Sequence, residues 1–509
     1  KAVSEGKLKD FDFKPKNSYY PSPMNNLISL LNREQYESVT KIDGANLILA
    51  GAGSGKTRVI TYKIVYLISQ GVKPNDILSV TFTNKAAKEM QERVNELLPK
   101  NSKGVLLTTF HSLGLRILKE QITKIGYKDK FSIYDEKDVQ KILKDILSEL
   151  KIAEDKYDLY NLTFQMSLAK MNLESKMDDE EIKKIYLKYQ EYLKLYNAVD
   201  FDDLIKLPIE IFQKFPNILE HYQKKWKYIL VDEYQDTSLM QYELMKLLAI
   251  KHKNISVVGD DDQSIYSWRG ANSTNLAMFE KDFAPVYEVM LEQNYRSTGN
   301  ILKAANAIIK SNTKRKAKNL WTSGDDGDKI SFYAAQDEDS EANYVLTMID
   351  RLKNQGYNYS NFGILFRTNS LSRIFEEIFR ENQIPYKVVG AMKFFDRPEI
   401  RDILGYIRFI ANQEDEVALH RIINTPKRGI GNTTIHSIME YSKTNNISLY
   451  STIKYFISSN YLGKQTPYLE DFYKLIEKYK EIIFKPKNIS RAISSLVEEI
   501  DYKGKLLSE

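Results

Sequence analysis

The run from Asn46 to Ile60, NLILAGAGSGKTRVI, decides the fold. A short apolar segment meets a glycine-rich turn, and the residues after the turn open a helical pattern. Strand, Gly-rich turn and helix in that order are the context a phosphate-binding loop requires. Glycines let backbone N–H groups turn inward, Lys56 reaches the β and γ phosphates of ATP, and the Thr57 hydroxyl can ligate Mg2+. The loop runs through Ala50, Gly51, Ala52, Gly53, Ser54, Gly55, Lys56 and Thr57. The strict pattern has Gly where this chain has Ala50, a small-for-small exchange that still permits a tight turn.

Outward from this loop, β-branched runs alternate with helical patterns: ILSVTFT (Ile77 to Thr83), VLLTTF (Val105 to Phe110), YILVDE (Tyr228 to Glu233) and ISVVGD (Ile255 to Asp260). Apolar strands separated by helices predict an α/β fold with a parallel sheet covered on both faces. Between the third and fourth strands lies a long helical insertion. Its clearest helix is DEKDVQKILKDILSEL, where Val139, Ile142, Leu143, Ile146, Leu147 and Leu150 repeat with the helical period. After about residue 330 a second alternating segment begins, with strands expected at Phe362 to Thr368 and Tyr386 to Gly390, and from about Asp396 the pattern turns mainly helical. Residues 1 to 23 are polar, Lys-rich and Pro-punctuated, and read as an extension without regular structure.

The second strand end to carry chemistry is YILVDEYQD. An acid at the carboxyl end of a neighbouring parallel strand lies beside the phosphate loop. Asp232 can therefore hold Mg2+ through water, while Glu233 orients and deprotonates the attacking water. A third is VVGDDDQSIYSWRGA. Asp260 ends an apolar strand on the same sheet edge, so the turn after it faces the nucleotide and Gln263 is placed to sense the γ phosphate. Tyr266, Trp268 and Arg269 follow within a few residues, side chains suited to stacking on unpaired bases and to a phosphate contact. For Trp268 taken alone, core packing is an equal alternative. TFTNKAAKEM puts Phe82 and Asn84 at a further strand end, and TTFHSLGLRIL does the same with His111, recommended by its position more than its chemistry. The basic run TKRKAK, Thr313 to Lys318, reads first as a solvated helix end and second as a phosphate contact.

The 509 residues are enough for three or four domains. Because 74 basic residues face 68 acidic ones, the formal charge is only +6, and nucleic-acid binding has to come from local patches. With no cysteine, disulfides, thiolate metal sites and Cys nucleophiles are excluded. No apolar run reaches the roughly 18 residues that span a bilayer. The expectation is a cytoplasmic protein with no membrane partner.

In order along the chain, LNREQYESV, AGAGSGKTR, TFTNKAAKEM, TTFHSLGLRIL, DFDDLI, VDEYQDTSLMQ, VVGDDDQSIYSWRGA, LEQNYRST, FRTNSLSR, KFFDRPEI and INTPKRGIG resemble the UvrD/Rep/PcrA group of superfamily 1 DNA helicases. The resemblance implies two RecA-like P-loop NTPase motor domains with α-helical insertion subdomains, Mg-ATP between them and single-stranded DNA across their tops. On that pattern residues 24–111 and 198–295 form the first motor domain, 112–197 its insertion, 296–393 the second motor domain and 394–509 a second insertion. The resemblance further implies that Gln35 reads adenine, that Arg58 and Tyr295 flank the nucleotide, and that Arg296 acts as an arginine finger. Phe82, Asn84, His111, Tyr266, Trp268, Arg269, Arg367 and Asn369 would line the DNA track, and TPKRGIG, Thr425 to Gly431, would meet duplex DNA or serve as a plain interhelical turn. Movement 3′ to 5′ and unwinding at junctions of single- and double-stranded DNA are implied in the same way, as are repair or replication proteins as partners. Two further family motifs have no counterpart before Glu509, so the chain is expected to stop inside the second insertion. The alternative on that count is an ATP- and DNA-binding fragment without full turnover.

Overall fold

The computed structural model describes residues 29–99, 103–153, 155–171, 179–266, 274–312, 315–389, 397–445, 447–483 and 489–508. The N-terminal extension, Trp268, Arg269, the start of the TKRKAK run and the KFFD segment lie outside them. The chain divides into two compact units, Lys1–Lys329 and Ile330–Glu509. The division falls beyond the expected 295/296 boundary, because the segment after it folds back on the first unit. Trp321 N donates to Glu292 O at 3.2 Å and Asn294 N donates to Trp321 O at 2.7 Å.

In the first unit six strands, β1 (Ala45–Ala50), β2 (Ile77–Thr81), β3 (Leu106–Thr109), β4 (Tyr228–Val231), β5 (Ile255–Gly259) and β6 (Val286–Leu291), form one sheet in the order β3-β2-β4-β5-β1-β6. Every pairing is parallel. The strand side chains divide between two cores. Leu47, Leu49, Val80, Val231 and Val257 point to one face, Ile48, Ala50, Leu230 and Val258 to the other, which is why these strands read as apolar runs rather than alternating ones.

Helices cover both faces. The phosphate-loop helix α2 (Lys56–Ser69), with α1 (Arg33–Thr40) before it and α3 (Asn84–Leu97) after it, packs on one. On the other lie α4 (Phe110–Gln121), α8 (Asp203–Lys214), α9 (Pro216–Lys225), α10 (Leu239–Ala249) and α11 (Asn275–Asp282), through Leu113, Ile117, Leu204, Tyr222, Leu244 and Phe279. Thus α4, expected to open the insertion, serves the sheet. The insertion proper holds α5 (Glu136–Glu149), α6 (Leu159–Met171) and α7 (Glu180–Leu195). Asp135 starts α5 with a capping box, and Val139, Ile142, Leu143, Ile146 and Leu147 are buried as the period requires. Leu150, the sixth member of that pattern, falls on the C-cap and is exposed.

A final helix, α12 (Gly299–Ile309), completes the first unit. The second unit opens with α13 (Glu338–Asn354) and α14 (Ser372–Glu381), which enclose a small core of Ala342, Ile349, Phe375, Ile378 and Phe379. Of the strands expected at 362–368 and 386–390, none forms among the described residues 362–368 and 386–389. Residues 362–366 carry no regular structure, with Phe362, Ile364 and Phe366 against that core and Leu365 98% exposed, and no described neighbour supplies a ladder. Alternation survives without pairing, since it records only which face is covered. Beyond it the unit is helical as expected, from α15 (Pro398–Ala411) through α16 (Glu416–Ile422), α17 (Asn432–Asn445), α18 (Leu449–Ser458), α19 (Thr466–Ile483) and α20 (Ile489–Glu499) to α21 (Tyr502–Ser508). Asp402 on α15 binds Arg421 at 2.8 Å, Tyr502 at 2.5 Å and Lys505 at 3.2 Å, tying the last helix to the first of this bundle.

Candidate nucleotide site and nucleic-acid face

The loop after β1 is held by its own backbone. Ser54 N and Oγ both bond to Gly51 O, at 3.2 and 2.8 Å, and Gly51 N donates to Leu291 O on β6. Gly55 precedes α2 with φ +90°, left-handed backbone that side-chain-bearing residues rarely adopt, and it offers α2 no side-chain cap. The first N–H groups of a 14-residue helix are therefore presented at the carboxyl edge of the sheet, the arrangement that binds phosphate. Buried Gln35 supports the loop from behind, its Nε2 donating to Ser54 O at 2.9 Å. Ala50 is fully buried among apolar neighbours, where the exchange from Gly costs the loop nothing visible.

Lys56 Nζ lies 3.2 Å from Glu233 Oε2. The strand carrying that acid is not the immediate neighbour of β1 that the sequence suggested: β5 lies between β1 and β4, and the lysine reaches across it. Glu233 itself has φ +51°, a backbone strain of the kind that collects at working sites. Burial, and then the charge of Glu233, pushes Asp232 up to about 7, and Asp236 rises to about 6 for the same two reasons. Asp232 Oδ1 and Asp236 Oδ1 are both buried with no hydrogen-bond partner. Beside the Lys56–Glu233 pair, the orphaned carboxylate oxygens of Asp232 and Asp236 are hard donors of the kind a divalent cation such as Mg2+ takes.

The acidic turn connects to this cluster through a residue that the sequence reading passed over. Gln235 Nε2 donates to Glu233 Oε2 at 2.9 Å, and its Oε1 accepts from Asp260 N at 2.9 Å. Asp260 Oδ2 in turn accepts from Gln263 Nε2 at 2.6 Å. Only its place inside DEYQD, between two strand ends, hinted at Gln235. Asn294 was missed as well. Its Nδ2 donates to Ala52 O at 2.6 Å while its Oδ1 accepts from the amides of Arg296 and Ser297, so it pins the turn carrying Tyr295 and Arg296 to the phosphate loop. Tyr295 N donates to Gly53 O, and the exposed phenol of Tyr295 meets Gln293 and Asn32, both at 2.9 Å. Arg58, one turn into α2, stacks its guanidinium on Tyr62 at 5.3 Å.

At the same sheet edge a second set of side chains gathers. Phe82 after β2 and Tyr266 after β5 stack with ring centroids 5.3 Å apart. His111 after β3 meets Phe201 edge-on at 6.1 Å, and burial lowers its affinity for a proton. Phe201, 53% exposed, is an aromatic at this edge that the sequence reading quoted within DFDDLI but gave no role. Asn84 Oδ1 accepts from Thr109 and Ser112 at 3.5 and 3.4 Å, joining the ends of β2 and β3. In the second unit Arg367 is exposed and Asn369 begins a short turn, Asn369–Leu371.

A phosphate loop, its acidic strand end and an aromatic edge on one parallel sheet can be compared with known proteins. Residues 31–284 match the family model of the UvrD/REP helicase N-terminal domain, and residues 289–505 match that of the UvrD-like helicase C-terminal domain. The chain belongs to the UvrD/Rep helicase family. Among the UvrD/Rep relatives, the ATP-dependent DNA helicase PcrA of Staphylococcus epidermidis is 43% identical over 496 residues, 95% of this chain and 68% of the relative. The protein of the same name from Staphylococcus aureus is 44% identical over 467 residues, 89% of this chain and 64% of the relative. The chain thus spans about two thirds of the length of these relatives.

Proposed function

We propose that this UvrD/Rep family chain is an ATP-dependent DNA helicase, coupling ATP hydrolysis to movement on single-stranded DNA and to duplex unwinding. The observation that carries the reading is the continuous line from Lys56 through Glu233, Gln235 and Asp260 to Gln263, which joins the phosphate loop to the turn that leads into the aromatic edge.

In this reading the α2 amides and Lys56 hold the β and γ phosphates of ATP, with Gln35, Arg58 and Tyr295 around the base. Thr57 and Asp232 would hold Mg2+, which when bound offsets the charge on the phosphate oxygens. Glu233, once Lys56 engages phosphate, orients the attacking water and accepts its proton. Gln263 senses the γ phosphate and passes its presence along the acidic turn. Arg296 stabilises the charge that develops on the transferred phosphoryl group. Phe82, Tyr266 and His111, with Trp268, Arg269, Arg367 and Asn369, take the single strand by stacking and backbone contacts, tolerant of sequence. Intact Lys56, Asp232 and Glu233 argue against an evolved inactive form. Polarity 3′ to 5′, a preference for single-strand/duplex junctions, and recruitment by repair or replication proteins rest on the family resemblance. A cytoplasmic setting goes with them. No helix among the described residues is long and apolar enough to cross a membrane.

A fluorophore–quencher duplex with a 3′ single-stranded tail tests this directly. Strand separation that requires ATP and Mg2+, and that is slower on a 5′-tailed duplex, is the expected result. ATP-independent separation, or none on either substrate, would refute it.

A further inference from the structure

The sequence reading left the basic run TKRKAK as a solvated helix end or a phosphate contact. Its described residues are neither. Arg315 binds Asp262 through two bonds, at 2.6 and 2.8 Å. Lys316 N donates to Asp261 at 2.7 Å, while its Nζ bridges Glu280 and Glu288. Lys318, 7% exposed, puts its ammonium among all three carboxylates of the acidic turn, 2.9 Å from Asp260 and Asp262 and in contact with Asp261. The three acids fit the spacing of a cation site, and the ammonium fills it. Two residues later the same segment reaches the phosphate loop. A Cβ built on Gly51 would lie 2.1 Å from Leu320 Cδ2, so this side chain rests on the loop backbone. Asn306 on α12 fixes Leu320 at both its amide and its carbonyl, and Glu292 takes the Asn319 amide.

We propose that this strap, Arg315 to Trp321, is a positioning element of the nucleotide site, with Lys318 as its decisive side chain. The argument is electrostatic first. Three adjacent carboxylates repel one another, and a turn that carries them is held in one conformation when a cation offsets that repulsion and donors fix the oxygens. Lys318 and the Asp262 amide together take Asp260 Oδ1, the lysine by the closer contact of 2.9 Å against 3.2 Å, and this leaves Oδ2 directed at the Gln263 amide. Gln235 holds the backbone of the same aspartate. Lys318 therefore sets the orientation of Gln263 without touching nucleotide, and Leu320 makes that setting sensitive to the phosphate loop. Removing the ammonium lets Asp260 turn, and Gln263 loses the single orientation in which it reports the γ phosphate to the DNA-facing residues beyond it. The inference rests on the helicase reading given above.

The test is ATP turnover by the protein and by Lys318→Met, with and without saturating oligothymidylate, each rate expressed per folded molecule. Loss of positioning is expected to lower DNA-stimulated kcat by about ten-fold, with the ATP KM changed by less than about two-fold, because binding groups stay and orientation goes. The double variant Lys318→Met/Asp261→Asn, with less repulsion in the turn, is expected to recover part of that loss, which a merely structural lysine would not produce. Stimulated kcat equal to that of the parent would overturn the proposal. Should Lys318→Met fail to fold, Arg315→Gln takes its place, with a smaller fall in stimulated kcat in favour and no change against. Absence of DNA-stimulated turnover in the parent protein would instead sink the helicase reading, and this inference with it.

Discussion

Two turns at the carboxyl edge of one sheet carry comparable charge and treat it in opposite ways. At the end of β4, Asp232, Glu233 and Asp236 share one lysine, and two buried carboxylate oxygens have no partner. At the end of β5, Asp260, Asp261 and Asp262 meet Lys318, Arg315 and the Lys316 amide, and every acid is paired within the fold. Unsatisfied buried groups cost stability, and at β4 they lie beside the phosphate loop, which is why we propose that this turn is completed by a ligand. The satisfied turn at β5 is completed by the chain itself. An acidic cluster therefore says little until its counter-charges are found: on our proposal the first is a site, the second a joint.

If the distinction holds, substitutions at the open turn should cost turnover with little loss of stability, and those at the closed turn should cost stability together with a smaller part of the DNA-stimulated rate. Lys56→Ala should lower ATP turnover by on the order of 10²–10³ or more, as loss of a charge-stabilising donor does, and steady-state phosphate release measures it. Glu233→Gln should lower turnover by about 10²–10⁴ while ATP binding, followed by a fluorescent analogue, survives. At the closed turn Lys318→Met leaves three acids around an emptied position, and urea unfolding should show a loss of about 3–5 kcal/mol. Lys56→Met, by contrast, breaks one ion pair, to a Glu233 side chain 35% exposed, and should cost clearly less than Lys318→Met. Equal losses from the two lysines would break the comparison. The smallest effect concerns acid. Burial alone would raise Asp262, but Arg315 and Lys318 outweigh it and hold this carboxyl below its usual value. A depressed folded-state value adds stability that is present above the unfolded value of about 3.9 and is lost as pH falls through the folded one. Asp262→Asn should therefore narrow the gap between melting temperatures at neutral pH and at pH about 3.

What the sequence disclosed follows the same line. The phosphate loop and five of the six strands are local patterns, legible because a strand buried on both faces and a Gly-rich turn each leave a contiguous signature, whereas the half-exposed edge strand β6 left none. The strand order is not local, and so β5 came between β1 and β4 unannounced. The partners of Lys318 lie more than fifty positions away in the chain, and no reading of TKRKAK alone could supply them. Segment 362–366 misled for a further reason: its alternation was real, but a strand also needs a neighbour. Gln235 and Asn294 are common polar residues whose importance lies wholly in what two loops bring to them.

The central claim is that Lys56 and the acids of β4 form a site that burns ATP in response to single-stranded DNA. Mg2+-dependent ATP turnover, measured with and without a single-stranded oligonucleotide for the protein and for Lys56→Ala, addresses it most directly. The account predicts turnover that rises with the oligonucleotide and disappears in the variant. Turnover indifferent to DNA, or retained by Lys56→Ala, would contradict it.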